Sequence, residues 1–321
     1  MASTKTKFIS LKGETLNSSL FTKAWFERTV SRLVLENPLN RLTDYGGIPI
    51  FNKPMIGVAD GADPVFELFL AAVSPSHVMP RDFLKRNSAK ETDLSHISVI
   101  SWVLPFTQHI RDSNRSGSWP SRLYSLARNN GGTLSHEVCC HVTEILDRHE
   151  KVGVSPSLAQ EYDAFRSSEH TFASSWSERH VAYAAGRGHF GLNGSLITPM
   201  GASVRFGSII TNLHLEPTPI EKGGHMATCL EYEGENCDRC IERCPVNAIS
   251  RKGLDKERCY TRKKMIEERY MREYTSSMKM FPHLIIKSGK RVNGYSLGCA
   301  LCQCGVPCES EYPEFLMKEY N

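Results

Sequence analysis

No apolar run in this chain of 321 residues approaches the roughly 20 residues needed to span a bilayer, so no transmembrane helix is expected. The amino terminus, Met1 to Phe8, is polar and basic and carries no secretory signal, and no Arg-Arg pair stands near the start. These absences lead us to expect a cytoplasmic protein without a membrane partner. A large charge excess is missing too: the formal net charge of +4 is too small to single out a partner. With 40% hydrophobic and 23% charged residues, the composition is ordinary for a globular protein. The length suits two domains, one of about 200 residues and one of about 100.

Cysteine is what the chain has, and at one end. Nine of the eleven cysteines lie from Cys229 onward, and eight of these sort into two sets. The first is Cys229, Cys237, Cys240 and Cys244, followed by Pro245; the second is Cys259, Cys299, Cys302 and Cys308. A Cys-x2-Cys-x3-Cys-Pro core, written twice with variations, is the ligand pattern of a pair of [4Fe–4S] clusters, because a short turn can wrap a cubane with three thiolates. In two-cluster ferredoxins the last cysteine of each run reaches across to the other cluster. On that rule Cys229, Cys237, Cys240 and Cys308 share one cluster, and Cys259, Cys299, Cys302 and Cys244 the other. The usual first cysteine of the first run would stand at Gly234, and Cys229 replaces it.

Other uses of these thiols compete. Disulfides fit poorly with a reducing compartment. A pair of zinc knuckles would use Cys-x2-Cys equally well, though zinc ribbons seldom carry the Cys-Pro signature. Cys304 reads as a spare buried thiol, and Cys139 and Cys140 as packing residues of a helix.

Between Arg251 and Arg291 thirteen Lys/Arg stand against five Asp/Glu, a local balance of +8. Such a surplus suits a nucleic-acid backbone or an acidic electron donor such as a ferredoxin or flavodoxin. The competing reading is a solvated helix, Arg258 to Tyr274, lined by Lys263, Lys264, Glu267 and Glu268. Elsewhere helices and strands alternate. Helices are expected over Leu20 to Leu35, stopped by Asn37-Pro38, over Leu134 to His149, ending toward Gly153, and from Ser177 through Ala185. A buried strand is expected over His96 to Leu104, and a hairpin from Ser195–Thr198 and Val204–Leu213 around Pro199-Met200-Gly201. Glu216-Pro217-Thr218-Pro219 reads as a linker, giving domains 1–215 and 216–321. No internal repeat appears beyond the two cysteine runs.

Ser177-Glu178-Arg179-His180, then Ala185-Gly186-Arg187-Gly188-His189-Phe190-Gly191-Leu192-Asn193, is similar to a stretch of the epoxyqueuosine reductase family. The match continues through Leu196-Ile197, Gly201 and Gly207-Ser208-Ile209-Ile210-Thr211-Asn212-Leu213. It resumes in the cysteine runs at Gly298-Cys299-Ala300-Leu301-Cys302-Gln303, so that it covers about residues 170 to 310.

The resemblance implies an α/β (α+β) nitroreductase-like, cobalamin-binding domain followed by a ferredoxin-like domain with two [4Fe–4S] clusters. It implies electrons passing through the clusters to a cobalamin, as in the related reductive dehalogenases. The implied substrate is the modified base epoxyqueuosine in tRNA, with the protein supplying orientation and a proton. The chain departs from the family at one place: the proton-donating Asp lies six residues before the Glu matched by Glu178, and Phe172 stands there. The nearby candidates are Glu169, His170, Glu178, His180 and Tyr183, of which Glu178 and Tyr183 are taken as catalytic. Helix capping through Ser175 or Ser177 is the plain alternative. Asn193, Ser195, Gly207 and Ser208 are taken as cofactor neighbours.

Gly186, Gly188 and Gly191 meet a dinucleotide-loop spacing but follow a helix, so a tight turn near a bulky cofactor is the reading preferred. Asp147-Arg148-His149 approaches a cobalt-ligating signature, with Gly153 one residue late. The alternatives to a reductase are an electron carrier whose first domain docks a redox partner, and a tRNA-binding protein with structural clusters.

Overall fold

The structure is a computed structural model that describes residues 21–88, 92–160, 162–165, 172–274, 278–287 and 290–313. At its centre is a four-stranded antiparallel sheet, in spatial order Met55–Asp60, Ser98–Pro105, Val204–Thr211 and Gly153–Val154. Every residue of the Ser98–Pro105 strand is buried, so its near-continuous apolar sequence serves two faces rather than one. Ile100, Trp102 and Leu104 lie opposite Ile209, Gly207 and Arg205 in the ladder. That face packs on helices α1 (Lys23–Leu35) and α5 (Arg122–Arg148). The other face, with Val99 and Ile210, packs on α2 (Val65–Ala72), α3 (Pro80–Asn87) and α6 (Glu178–Ala184). A short α4 (Gln108–Asp112) leads into α5.

The first helix ends at Leu35, ahead of Asn37-Pro38, and Thr22 caps its start by accepting from the Trp25 amide at 3.2 Å. Leu20 lies outside the described residues. α5 begins at Arg122 rather than Leu134, capped by the Ser121 hydroxyl. The added part includes Asn129-Asn130-Gly131-Gly132, although glycine costs about 1 kcal/mol in a helix interior. Here the glycines let other groups come close: a Cβ on Gly131 would stand 2.6 Å from Phe51, and one on Gly132 2.7 Å from His283. The helix stops at Arg148, with Glu150 left-handed at φ 59°, so Gly153 is not its terminator and instead pairs with Thr211. Cys139 is buried in this helix, and Cys140 is exposed.

The expected hairpin does not form. Leu196–Ile197 pairs with His189–Phe190, and Val204–Thr211 pairs with Ser98–Pro105, because the fully buried 98–105 strand needs a largely buried partner. Gly186 and Gly188 have positive φ, and their missing Cβ atoms admit the carbonyls of Pro219 and Ile197. Their turn thus serves chain packing. The expected linker is pinned: the Thr218 amide donates to the Val58 carbonyl at 2.8 Å, and its hydroxyl accepts from the Val58 amide and Lys23 Nζ.

Beyond it come α7 (Arg239–Glu242), α8 (Lys256–Tyr274) and a hairpin of His283–Lys287 with Lys290–Gly294. The chain around this hairpin lies on α5, whose Asn129, Asn130 and Thr133 side chains donate to the carbonyls of Phe281 and Lys279. Among the described residues no helix is long and apolar enough to cross a membrane.

Candidate cluster-binding and reaction site

The structure gathers the eight cysteines into two neighbouring groups. One cavity is lined by Cys229, Cys237, Cys240 and Cys308, with Gly191, Leu192 and Ile197 as its apolar wall. Burial, and then the proximity of Cys229 and Cys237, push the Cys240 thiol up to about 12. Cys308 is raised to about 12 by burial and then by Cys229, Cys240 and Cys237. The second group centres on Cys302, which burial raises well above the ordinary thiol value, followed by Cys299, Cys259, Cys240 and Cys244. A bound cationic centre would stabilise these thiols as thiolates. Among the described residues no group of three or more His, Cys, Asp or Glu is drawn together tightly enough for a single metal ion. Four thiols around one cavity are a donor set that a cubane, which spreads its thiolates over separate corners, would use. Cys304 lies outside both groups, fully buried in the main core, with Asn114 and Ser203 each 3.8 Å from its sulfur.

Polar side chains from the α/β part hold these turns. Asn193 Nδ2 donates to the Cys302 carbonyl at 2.8 Å, and Gln303 Nε2 donates to the Ser195 hydroxyl at 2.6 Å. The Ala202 amide donates to the Cys308 carbonyl at 2.7 Å. Buried Glu309 accepts from Arg115 Nε at 2.9 Å, with Arg111 3.6 Å away. Gly207 is closed in by Trp102, and the Ser208 hydroxyl accepts from Trp176 Nε1 at 3.0 Å. Asn193 and Ser195 thus seat the cysteine turn, while Gly207 and Ser208 lie in the packed sheet. None of these four lines either of the cavities at Asp60–Pro217 and at Ser76–Ser175.

Glu178 opens α6. Both of its carboxylate oxygens are buried and have no hydrogen-bond partner among the described residues. Burial pushes its pKa up to about 7, opposed by the nearby Ser208 hydroxyl and the Arg205 guanidinium. Ser177 occupies the N-cap position without capping; its hydroxyl meets His180 Nδ1 at 2.8 Å, and Ser175 is engaged with Asp163. Capping through these serines therefore does not occupy Glu178. Tyr183 lies toward Phe190 and His189, apart from Glu178. Burial lowers the His180 pKa to about 3. Glu169 and His170 lie outside the described residues. Phe172 is 38% exposed and stacks on Tyr260, 5.1 Å between centroids, beside Cys259.

Around Glu178 stand residues the sequence did not single out. Tyr162 is raised to about 12 by burial and then by Glu178. Arg205 is lowered to about 10 by burial and then by Arg128. His136 and His283 are lowered to about 4 and about 3 by burial and then by Arg205. From Val204 to Ile209 the outer edge of the strand has no strand partner among the described residues, since Gly153–Val154 pairs only at Ile210 and Thr211. This polar cluster around Glu178 lies where the Pro156–Leu158 turn comes against that edge, with Arg291 donating to the turn's carbonyls. Arg128 joins it to the cysteines: its carbonyl accepts from Arg205 Nη1 at 3.2 Å, and a Cβ on Gly298 would stand 2.6 Å from its Nε. A basic residue inside an apolar strand and a Gly-Gly pair within a helix were the available signals.

On α8 much of the basic surplus is internally paired, Lys263 and Lys264 with Glu267, Arg269 with Glu273, and Arg262 lies 3.6 Å over Trp119.

No family model matches the chain, and no curated protein matches its sequence. Among solved structures it is similar to an epoxyqueuosine reductase with an epoxyqueuosine-modified tRNA-Tyr stem loop, at 19% identity and TM-score 0.41, covering 64% of this chain and 52% of that one. The epoxyqueuosine reductase from Streptococcus thermophilus aligns at 14% identity and TM-score 0.43, covering 79% and 62%. A reductive dehalogenase described with B12-dependent dehalogenation aligns at 17% identity and TM-score 0.40, covering 65% and 27%. The chain thus spans less than two thirds of each of these proteins. At such scores and identities the likeness carries no assignment of activity.

Proposed function

We propose that the chain is an iron–sulfur reductase in which two [4Fe–4S] clusters, held by the two cysteine groups, feed single electrons toward the polar cluster around Glu178. The observation that carries this reading is the position of Arg128, which lies against both Gly298, beside Cys299, and Arg205 in that cluster. The clusters would supply one-electron storage. The chain's own residues hold them, exclude water from their apolar wall and manage the proton. Glu178 is the proposed proton source, since a carboxyl with a pKa of about 7 keeps its proton near neutrality and can still release it. Tyr183 is the second candidate, on the far side of α6.

Cobalamin is the proposed acceptor and epoxyqueuosine in tRNA the proposed substrate, both by resemblance in sequence. The side chains of Asn193, Ser195 and Ser208 are engaged within the chain and Gly207 is closed in, so direct corrinoid contact through these four has no support in their surroundings. A second reading is favoured by those same contacts: a ferredoxin-type carrier without a corrinoid, exchanging electrons with a ferredoxin or flavodoxin. Anaerobically purified protein titrated with cobalamin separates the two. A corrinoid spectrum perturbed at micromolar levels is expected for the reductase, and no binding at all rejects its cofactor.

A further inference from the structure

Two arginines from different elements close on Cys299. A Cβ on the preceding Gly298 would stand 2.6 Å from Arg128 Nε and 3.2 Å from its Nη2, so this guanidinium lies along the backbone that carries the cysteine. Arg262 of α8 is only 7% exposed and lies 3.6 Å over the Trp119 ring, and Trp119 packs with Cys299 against Ile266, Tyr270 and Leu297. The carboxylates of Glu267 and Glu273 on the same helix are taken by Lys263, Lys264 and Arg269.

The Nε–H groups of Arg128 and Arg262 are both buried with no hydrogen-bond partner among the described residues. A buried donor without an acceptor is costly, and two of them stand beside one cysteine. Thiolate and sulfide sulfurs of a bound centre are acceptors of the kind they lack, so these donors fit the second cysteine group to a cluster. Burial and then Cys299 and Cys244 raise the Cys259 thiol, opposed by Arg179 and Arg128. Burial raises Cys299, opposed by the Leu301 amide and then by Arg262.

The first group is differently surrounded. Arg239, at its cavity, has a side chain 56% exposed and ion-paired to Glu242 at 2.6 Å. Glu309, next to Cys308, is matched by Arg115 at 2.9 Å. Charges of this kind are compensated or screened by water.

We propose that Arg262 and Arg128 set the reduction potential of the second cysteine group, Cys244, Cys259, Cys299 and Cys302, above that of the first, so that electrons run from the first group to the second. The reduced form of a cluster carries one more negative charge, and nearby cations and N–H donors to its sulfurs favour that form. Burial keeps the effect from being screened away. The second group is also the one that Arg128 ties to Arg205, whose Nη1 donates to the Arg128 carbonyl at 3.2 Å. The inference rests on reading both cysteine groups as [4Fe–4S] sites, and needs neither a corrinoid nor a substrate.

The test is a potentiometric titration of the full-length, anaerobically purified chain, followed by electron paramagnetic resonance, with iron counted on the same sample. Two one-electron waves are expected, at least about tenfold apart in reduction equilibrium, or about 59 mV. Cys244→Ser should remove the upper wave and keep the lower. Arg262→Gln should lower the upper wave by at least about tenfold and leave the lower within about threefold. Arg128→Gln should lower the same wave, which keeps the test open should one variant assemble poorly. Arg262→Lys, which keeps the charge without the Nε donor, should fall between Arg262→Gln and the wild type. Arg272→Gln, on the exposed part of α8, should move neither wave. About eight irons per chain with the upper wave unmoved in both Arg262→Gln and Arg128→Gln overturns the inference and leaves the reductase reading standing. An equal shift of both waves overturns it too, as a general charge effect. A chain without iron fails the reductase reading and this inference together.

Discussion

The two parts of the chain differ in what holds them. Around the central sheet, α1 and α5 on one face and α2, α3 and α6 on the other bury two continuous apolar clusters with side chains such as Phe26, Trp102, Tyr124, Phe66 and Trp176. The cysteine part has little of this kind. Among the described residues, the fully buried members of one cluster there are Ile266, Tyr270 and Leu297, and in the other the fully buried members from beyond residue 216 are Cys229 and Ile249, with half-buried side chains around them. Met278 and Cys304 are buried, but in the core of the sheet. A segment this poor in apolar burial cannot offset its chain entropy alone. On the proposed reading its order comes from thiolate–iron bonds and from polar tethers such as Asn193–Cys302 and Arg115–Glu309, so the same thiols that would carry electrons would also carry the fold.

The largest effect follows from that contrast. Protein made without iron should keep amide protection in strands 98–105 and 204–211 but lose it over 229–270, because metal-binding free energy is there folding free energy. Uniform protection in both forms would show the cysteine part to be self-sufficient. Cys244→Ser is expected to lower the iron content from about eight to about four per chain, since each cubane needs its fourth ligand; unchanged iron would remove Cys244 from the ligand set. Glu309→Ala breaks an ion pair between the two parts whose Arg115 side is half exposed, and should cost about 1 kcal/mol of stability in urea unfolding. A cost near zero would mean the pair does not join them.

Glu178→Gln sharpens the contrast from the other side. A buried carboxyl whose folded pKa is raised to about 7 contributes stability that is fully present below its unfolded value and is lost as pH rises through 7. The buried histidines act oppositely: held neutral in the fold, His77, His136, His180 and His283 lower stability as pH falls below their unfolded value of 6.5. The difference between wild type and Glu178→Gln isolates the carboxyl. The variant should be more stable above pH 7 by about 2–3 kcal/mol, and the advantage should fade toward acid pH. A pH-independent difference would rule out a proton held on Glu178.

The sequence made the regular parts legible because their signals are local. Apolar continuity marked the 98–105 strand, Asn37-Pro38 the end of α1, and cysteine spacing the thiols that would have to meet. Pairing partners were not legible. Val204–Thr211 has the same alternation whether it joins Leu196–Ile197 or Ser98–Pro105, and only three-dimensional packing decides. The first half of α5 was missed since the groups that Gly131-Gly132 admits, Phe51 and His283, come from distant parts of the chain. For the same reason the polar cluster around Glu178 was half seen. Glu178 stood out through its motif, whereas Arg128, His136, Arg205 and His283 come from separate elements and carry no shared spacing.

Iron and acid-labile sulfide analysis of the anaerobically purified chain, with electron paramagnetic resonance before and after dithionite reduction, tests the central claim most directly. The account predicts about eight irons and eight sulfides per chain, with reduced spectra of two interacting [4Fe–4S]⁺ clusters. Stoichiometric zinc with no sulfide, or iron that leaves either cysteine group empty, would contradict it.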